Sequence, residues 1–248
     1  MRGRSIPLTP ARRAVADLMR LTIGIPLAAV LCRINVSRTA AARRAAAKPI
    51  PWTAIFIKAY ALVAAEFPEL RRAFLKFPRP HLYEYPASVA ALTVEREYRG
   101  EMRVFAILIK DPASLRLSEI AKTIEHGQKS PIEDIKAFHR LDRIIHYPRF
   151  LQRIIWWIGY NFGRLRANHF GTYGITSISS LGAESSYFPT PLSTTVNYGL
   201  MREGGEMDIH MMIDHRLIDG SVAARALLRL GEILSGPIVE ELASEPQK

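Results

Sequence analysis

The chain has 248 residues, 48% hydrophobic and 23% charged, which supports a sizeable core and excludes broad disorder. Its single cysteine, Cys32, excludes a disulfide framework and a cysteine zinc site, and a thiol in an apolar run reads as a core residue in a reducing compartment. The formal net charge of +11 favours a polyanionic partner, but the basic residues are scattered and no nucleic-acid-binding signature accompanies them, so nucleic acid is not the expected partner.

Pro7, Pro10, Arg12 and Arg13 interrupt any apolar run behind Arg2 and Arg4, which argues against a signal peptide. Thr9 is placed to cap a helix that opens on Pro10 and runs through residues 11–20, with Ala14, Val15, Leu18 and Met19 as its apolar stripe. Residues 21–32 are apolar but shorter than the ~20 residues that span a bilayer, so a cytoplasmic protein is expected. Residues 26–36 have the content of a strand that ends at the polar turn 35–37, and residues 39–47 read as an Ala/Arg helix. After Pro49 and Pro51, residues 52–67 form a helix that is apolar nearly all round and therefore buried, ending at Pro68.

Two strands, 88–95 and 102–110, are joined by a turn at Arg99 and Gly100. A short amphipathic helix over 118–126 meets Gly127 as its stop, and 129–138 continue as polar helix or loop. Residues 139–168 interleave aromatic and aliphatic side chains with Arg140, Arg143, Arg149, Arg153, Arg164 and Arg166. Pro148 divides this segment, and its second half reads as one aromatic, basic, amphipathic helix. Strands are expected over 173–180, 194–201 and 207–214. A helix over 221–234 then stops at Gly236 and Pro237, and the polar tail 244–248 is expected to be loose. Helices and strands mix without regular βαβ alternation, which favours α+β or a sandwich-like α/β arrangement in one domain over 1–248.

The chemistry concentrates near the C-terminus. The strand pattern 207–214 ends directly at His215, and Gly220 precedes the last helix. His215 and Asp219 stand four apart across that junction, close enough for the carboxylate to fix the local backbone or hold a neighbouring arginine. Imidazole has a reference pKa near ~6.5, while a substrate thiol lies at about 8.5 and is mostly protonated at neutral pH. A neutral histidine within hydrogen-bond reach can take the thiol proton as the sulfur attacks an acyl carbon. A buried, satisfied histidine is the competing structural reading. His210 reads as structural, and His81, His126, His139, His146 and His169 show no metal-ligand spacing, so no metal is expected. No Gly-rich phosphate loop is present.

The segment Asp214-His215-Arg216-Leu217-Ile218-Asp219-Gly220 resembles the signature of the catalytic domain of the dihydrolipoyl acyltransferases of 2-oxo acid dehydrogenase complexes. His215, Asp219 and Gly220 also meet the shorter His-x-x-x-Asp-Gly pattern of the related chloramphenicol acetyltransferase. Gly171-Thr172-Tyr173-Gly174-Ile175-Thr176-Ser177-Ile178-Ser179-Ser180-Leu181-Gly182 is similar to the family's Gly-Thr-Phe-Thr-Ile-Ser-Asn-Leu-Gly stretch, with extra residues near Gly174. Residues 7–19, Ile25-Pro26, Ile57-Lys58-Ala59, 66–70, 104–110 and 114–120 continue the likeness, which spans most of 7–234.

The resemblance implies a chloramphenicol-acetyltransferase-like α/β fold, with a mixed sheet flanked by helices. It also implies a homotrimer with its sites between subunits. His215 would be the general base and Ser179 the oxyanion donor, the latter worth ~3 kcal/mol. Asp219 would orient the site through a salt link, with Arg12 as its partner. The implied reaction moves an acyl group between a thioester and a thiol, hydroxyl or amine, with coenzyme A entering as acyl-CoA.

The sequence also departs from the family. No lipoyl-bearing domain, subunit-binding domain or Ala/Pro-rich linker lies within 1–248, so no lipoyl group is expected on this chain. The acyl group would come from acyl-CoA, an acyl carrier protein or a lipoyl protein. Leu27 stands where the family's Ile-Pro-His motif has histidine, and Ser180 where an asparagine follows the serine. Residues 139–168 form an atypical insertion, with three readings: extra packing or a subunit contact, a wall of an acyl-chain pocket, or membrane-surface contact along 149–166. Two other functions stay open. One is carrier-protein-dependent acyl transfer in lipid or natural-product assembly, and the other a non-catalytic trimeric scaffold or partner of a dehydrogenase complex.

Overall fold

The computed structural model describes residues 1, 3–46 and 48–244; the expected helix end at 47 and most of the 244–248 tail lie outside them. Thr9 caps α1 (Pro10–Thr22), its hydroxyl accepting from the Arg12 amide at 3.2 Å. β1 (Leu27–Asn35) and α2 (Ser37–Ala45) follow, and then α3 (Trp52–Glu66), which is buried on nearly every side as its composition requires. A short hairpin, β2 (Arg72–Leu75) and β3 (His81–Glu84), precedes the long pair β4 (Val89–Tyr98) and β5 (Glu101–Lys110). Arg99 and Gly100 both take positive φ (54° and 75°), the two-residue turn that suits the twist of a hairpin.

Next come α4 (Leu117–Lys129), α5 (Lys136–Ile145), α6 (Arg149–Asn161) and α7 (Gly163–Phe170). β6 (Tyr173–Thr176), β7 (Thr194–Met201) and β8 (Glu206–Asp214) complete the strands, and α8 (Gly220–Ser235) and α9 (Pro237–Ser244) close the chain. Six strands form one mixed sheet in the order β1-β8-β7-β6-β4-β5. β6 runs parallel to both β4 and β7, and the other pairs are antiparallel. This is the α/β architecture, a mixed sheet flanked by helices, that the resemblance implied.

Alternation along the strands divides the sheet between two layers. Ile107, Ile175, Val196, Ile209 and Met211 point into the main core with α3, α4 and α8. The opposite face carries α1, the β2–β3 hairpin and the helices of the insertion, held in part by Ala91, Phe170, Leu192, Leu18 and Trp156. Arg103 of β5 and Asp142 of α5, both buried, form a charged tie between sheet and insertion.

Several elements differ from the sequence reading. Gly127 does not stop α4; it lies inside the helix, where an added Cβ would come within 2.6 Å of Ile107 Cγ1. Close approach to the sheet, not termination, explains that glycine. The second half of the insertion is two helices, broken at Phe162, whose backbone is extended (φ −107°, ψ 115°), and Gly163 after it packs against the Tyr83 ring. β6 ends at Thr176 and a 3-10 turn over Ser179–Leu181 replaces its expected continuation. Pro237 opens α9 instead of merely ending α8.

The inward side of α6 includes Trp156 and Tyr160, packed near Phe170. Its outward side leaves Phe150, Ile154, Trp157 and Ile158 exposed beside Arg149 and Arg153. No helix among the described residues is long and apolar enough to cross a membrane.

Candidate active site

β8 delivers His215 to the end of the sheet, and the turn that follows is pinned from both sides. The His215 amide donates to the Pro26 carbonyl at 2.9 Å, tying the turn to the start of β1. The Asp214 carbonyl accepts from Leu217 and Ile218, and the Asp214 amide donates to Ser193. The Asp214 carboxylate is 1% exposed. It receives Arg216 through Nε at 2.8 Å and Nη2 at 2.6 Å, and also the Arg216 amide at 3.1 Å. The Arg216 guanidinium in turn lies 4.4 Å from the centre of the Phe74 ring. The hydrogen bond to Asp214 raises the Arg216 pKa above its ordinary value, against the opposing effect of desolvation.

The resemblance implies an arginine-holding role for Asp219; within one chain, the arginine held at this turn is Arg216, and its partner is Asp214. Signal for this pair was present: a charged residue ending the apolar run Met211-Met212-Ile213, two places from an arginine.

The bond network leaves the His215 side chain free to act, 52% exposed with Nδ1 3.8 Å from Asp219 Oδ1. That separation is an ion contact, longer than a hydrogen bond. Asp219 itself is 81% exposed at the N-terminus of α8. Arg12 lies on α1, which packs on β5 at the opposite edge of the sheet from β1 and β8. There it lines a surface cavity with Glu95 and Glu101. Among the described residues it forms no ion pair with Asp219, so the expected link is not made within one chain.

Ser179 follows β6 on the 3-10 turn. Its hydroxyl lies 2.8 Å from the Ser177 hydroxyl, which donates to the Tyr198 carbonyl at 2.7 Å. The relay leaves Ser177 as acceptor toward Ser179. Strand direction then separates this serine from His215. β6 and β7 run together while β8 runs against them, so the turn after β6 and the turn after β8 lie at opposite ends of the sheet. Tyr198 pairs with Ile209, and the path from Ile209 along β8 to His215 is roughly 20 Å. A single subunit therefore does not bring His215, Ser179 and Arg12 together.

Among the described residues, no group of three or more His, Cys, Asp or Glu side chains could hold a metal ion.

No family model matches the chain, and no curated protein matches it by sequence. Solved structures do match its fold. A probable dihydrolipoamide acetyltransferase from Listeria monocytogenes superposes with a TM-score of 0.68 at 18% identity, covering 99% of this chain and 98% of that one. The Azotobacter vinelandii dihydrolipoamide acetyltransferase, studied for the roles of a serine, a histidine and an asparagine in its mechanism, gives 0.63 at 15% identity, covering 95% and 93%. A chloramphenicol acetyltransferase gives 0.54 at 14% identity, covering 88% and 94%. The chain has the fold these proteins share.

Proposed function

We propose that the protein is an acyltransferase whose site is completed between copies of the chain. One observation carries the reading. A half-exposed imidazole is fixed at one end of the sheet by the Asp214–Arg216 turn, and a serine hydroxyl is held on a relay at the other end. Neither group has its chemical counterpart within its own subunit. Two ends of one sheet meet when copies are arranged around a rotation axis, and a homotrimer is the arrangement the family likeness favours.

In the assembled site the His215 imidazole takes the proton from an acceptor thiol, hydroxyl or amine as that atom attacks the thioester carbonyl. The carbonyl π electrons move onto oxygen, and Ser179 of the adjacent copy turns its hydroxyl proton away from Ser177 to donate a hydrogen bond to that oxyanion. Collapse breaks the carbon–sulfur bond, and the imidazolium returns its proton to the departing thiolate. Asp219 sits where it stabilises the charged imidazolium. The histidine, the serine and a polar residue four places after the histidine parallel the residues studied in the Azotobacter vinelandii enzyme, with aspartate here in place of asparagine. Coenzyme A enters as the substrate acyl-CoA, and a lipoyl or carrier protein is the alternative donor. The basic surface suits both.

Release of free thiol from a panel of acyl-CoA substrates tests this. His215→Ala should cost about 10²–10⁴-fold in kcat and Ser179→Ala about 10²-fold. Equal rates in all three proteins reject the mechanism.

A further inference from the structure

The outward side of α6 carries an apolar stripe. Phe150, Ile154, Trp157 and Ile158 are exposed at spacings of four, three and one, which puts them on one face of the helix. The stripe continues off the helix. Phe77, at the tip of the β2–β3 hairpin, meets the Trp157 ring at 5.4 Å and the Phe162 ring at 5.6 Å, and all three rings are exposed. Single exposed apolar side chains are ordinary, but a contiguous surface built by two separate elements marks an interaction site.

The helix is held from behind. Trp156 and Tyr160 pack near Phe170, and the Gln152 carboxamide donates to the Ile145 and Tyr147 carbonyls at 3.0 and 2.6 Å. The stripe is therefore preformed, and binding through it needs little ordering of the chain. Its rim is cationic. Arg149 and Arg153 form the adjacent i,i+4 row, Arg164 follows on α7, and Lys76 and Arg79 stand beside Phe77 at the hairpin tip. All of these cations are exposed, and none makes an ion pair among the described residues. Residues 143–183 contain no Asp or Glu, and neither do residues 70–83.

This charge pattern selects the occupant. A two-fold contact with a second copy would set each cationic rim against itself. An anionic lipid surface is complementary instead: the rings enter the headgroup boundary, where tryptophan is favoured, while the guanidinium groups stay among the lipid phosphates and carboxylates. We propose that the protein docks on an anionic bilayer through α6 and the hairpin tip, with α6 lying in the plane of the surface. The inference uses neither His215 nor Ser179 and stands apart from the acyl-transfer reading.

Cosedimentation of the full chain with vesicles tests the proposal. Phosphatidylcholine vesicles carrying about 30% phosphatidylserine should bind at least tenfold more tightly than phosphatidylcholine alone, and the protein should be released as salt rises from about 0.05 to 0.5 M. Arg149→Gln together with Arg153→Gln should weaken binding by roughly 10–30-fold. Ile154→Ser should weaken it by about tenfold. Brominated lipid should quench the tryptophan fluorescence, and Trp157→Phe should remove most of that quenching. Every substituted side chain is exposed, and the lipid and salt comparisons need no variant. Equal binding to both kinds of vesicle, or to neither, overturns the proposal. Quenching that survives Trp157→Phe also overturns it, because another face then meets the lipid. Failure to bind vesicles, with Ile154→Ser shifting the sedimentation of lipid-free protein, would assign the face to a second copy. Failure to bind vesicles, with salt-sensitive binding of polyglutamate, would assign it to an acidic protein. His215→Ala should bind vesicles as wild type does, so docking and catalysis can fail separately.

Discussion

At the scale of single residues, the group that fixes the turn beside His215 is Asp214. Its carboxylate is buried, and Arg216 is the cation that offsets its charge. Removing one member of such a pair leaves the other buried and uncompensated, at a typical cost of about 3–5 kcal/mol. Asp214→Asn should therefore lower stability to urea by about 3 kcal/mol and lower kcat as well, because the turn that aims His215 loosens. An unchanged urea midpoint would show that the pair does not hold the turn. Asp208 makes a different contribution. It pairs β8 with Arg33 on β1 at 2.7 Å, and that hydrogen bond holds its pKa below the ordinary carboxylate value. A depressed folded-state pKa adds stability above the unfolded value of about 3.9, and the gain is lost as pH falls through the folded value. Asp208→Asn should therefore lower the melting temperature at pH 7 but leave it near wild type well below pH ~3. An equal drop at both pH values would assign the loss to packing.

At the scale of elements, two glycines show how the helices reach the sheet layers. Gly127 lets α4 close on Ile107, and Gly163 lets the α6–α7 junction close on the Tyr83 ring. The ring is the less forgiving neighbour, since a Cβ at 163 would meet three atoms of a rigid plane at 2.6–2.8 Å, whereas the end of the Ile107 side chain can turn aside. Gly163→Ala should destabilise the protein by about 1–3 kcal/mol, measured by chemical unfolding, because the ring and hairpin must shift. A neutral change would mean that the β2–β3 hairpin yields freely. The helix break at Phe162 was not legible because a residue pattern reports which faces are apolar, not where the chain turns to pack on a distant hairpin. The caps were legible because they are local: Thr9 meets Arg12 within one helical turn, and Arg99 with Gly100 closes its own hairpin.

At the scale of the whole molecule, the proposed mechanism requires assembly, because one chain keeps His215 and Ser179 at opposite ends of the sheet. If each site draws its histidine from one copy and its serine from the next, two inactive variants can complement each other. His215→Ala and Ser179→Ala chains, unfolded and refolded together in equal amounts, should recover up to about a quarter of wild-type activity, because random mixing restores some intact pairs. Each variant refolded alone should stay at or below about one hundredth of wild-type activity. Absence of recovery in a hybrid that forms the wild-type oligomer would refute the shared site.

Local sequence was enough to read a buried helix at 52–67, a strand ending at a histidine, serines at the end of another strand, and a mixture of helices and strands in one domain. These follow from periodicity, turn residues and charge placement, which act over a few residues. Tertiary structure alone decided which groups meet. It paired Asp214 with Arg216, placed Arg12 at the far edge, and set Ser179 at the opposite end of the sheet from His215. It also built a cavity of about 490 Å³ between the strands and an insertion whose packing partners no local pattern names. The reason is physical: strand order and direction are fixed by burying side chains far apart in the chain, and a short motif carries no record of its neighbours across a sheet.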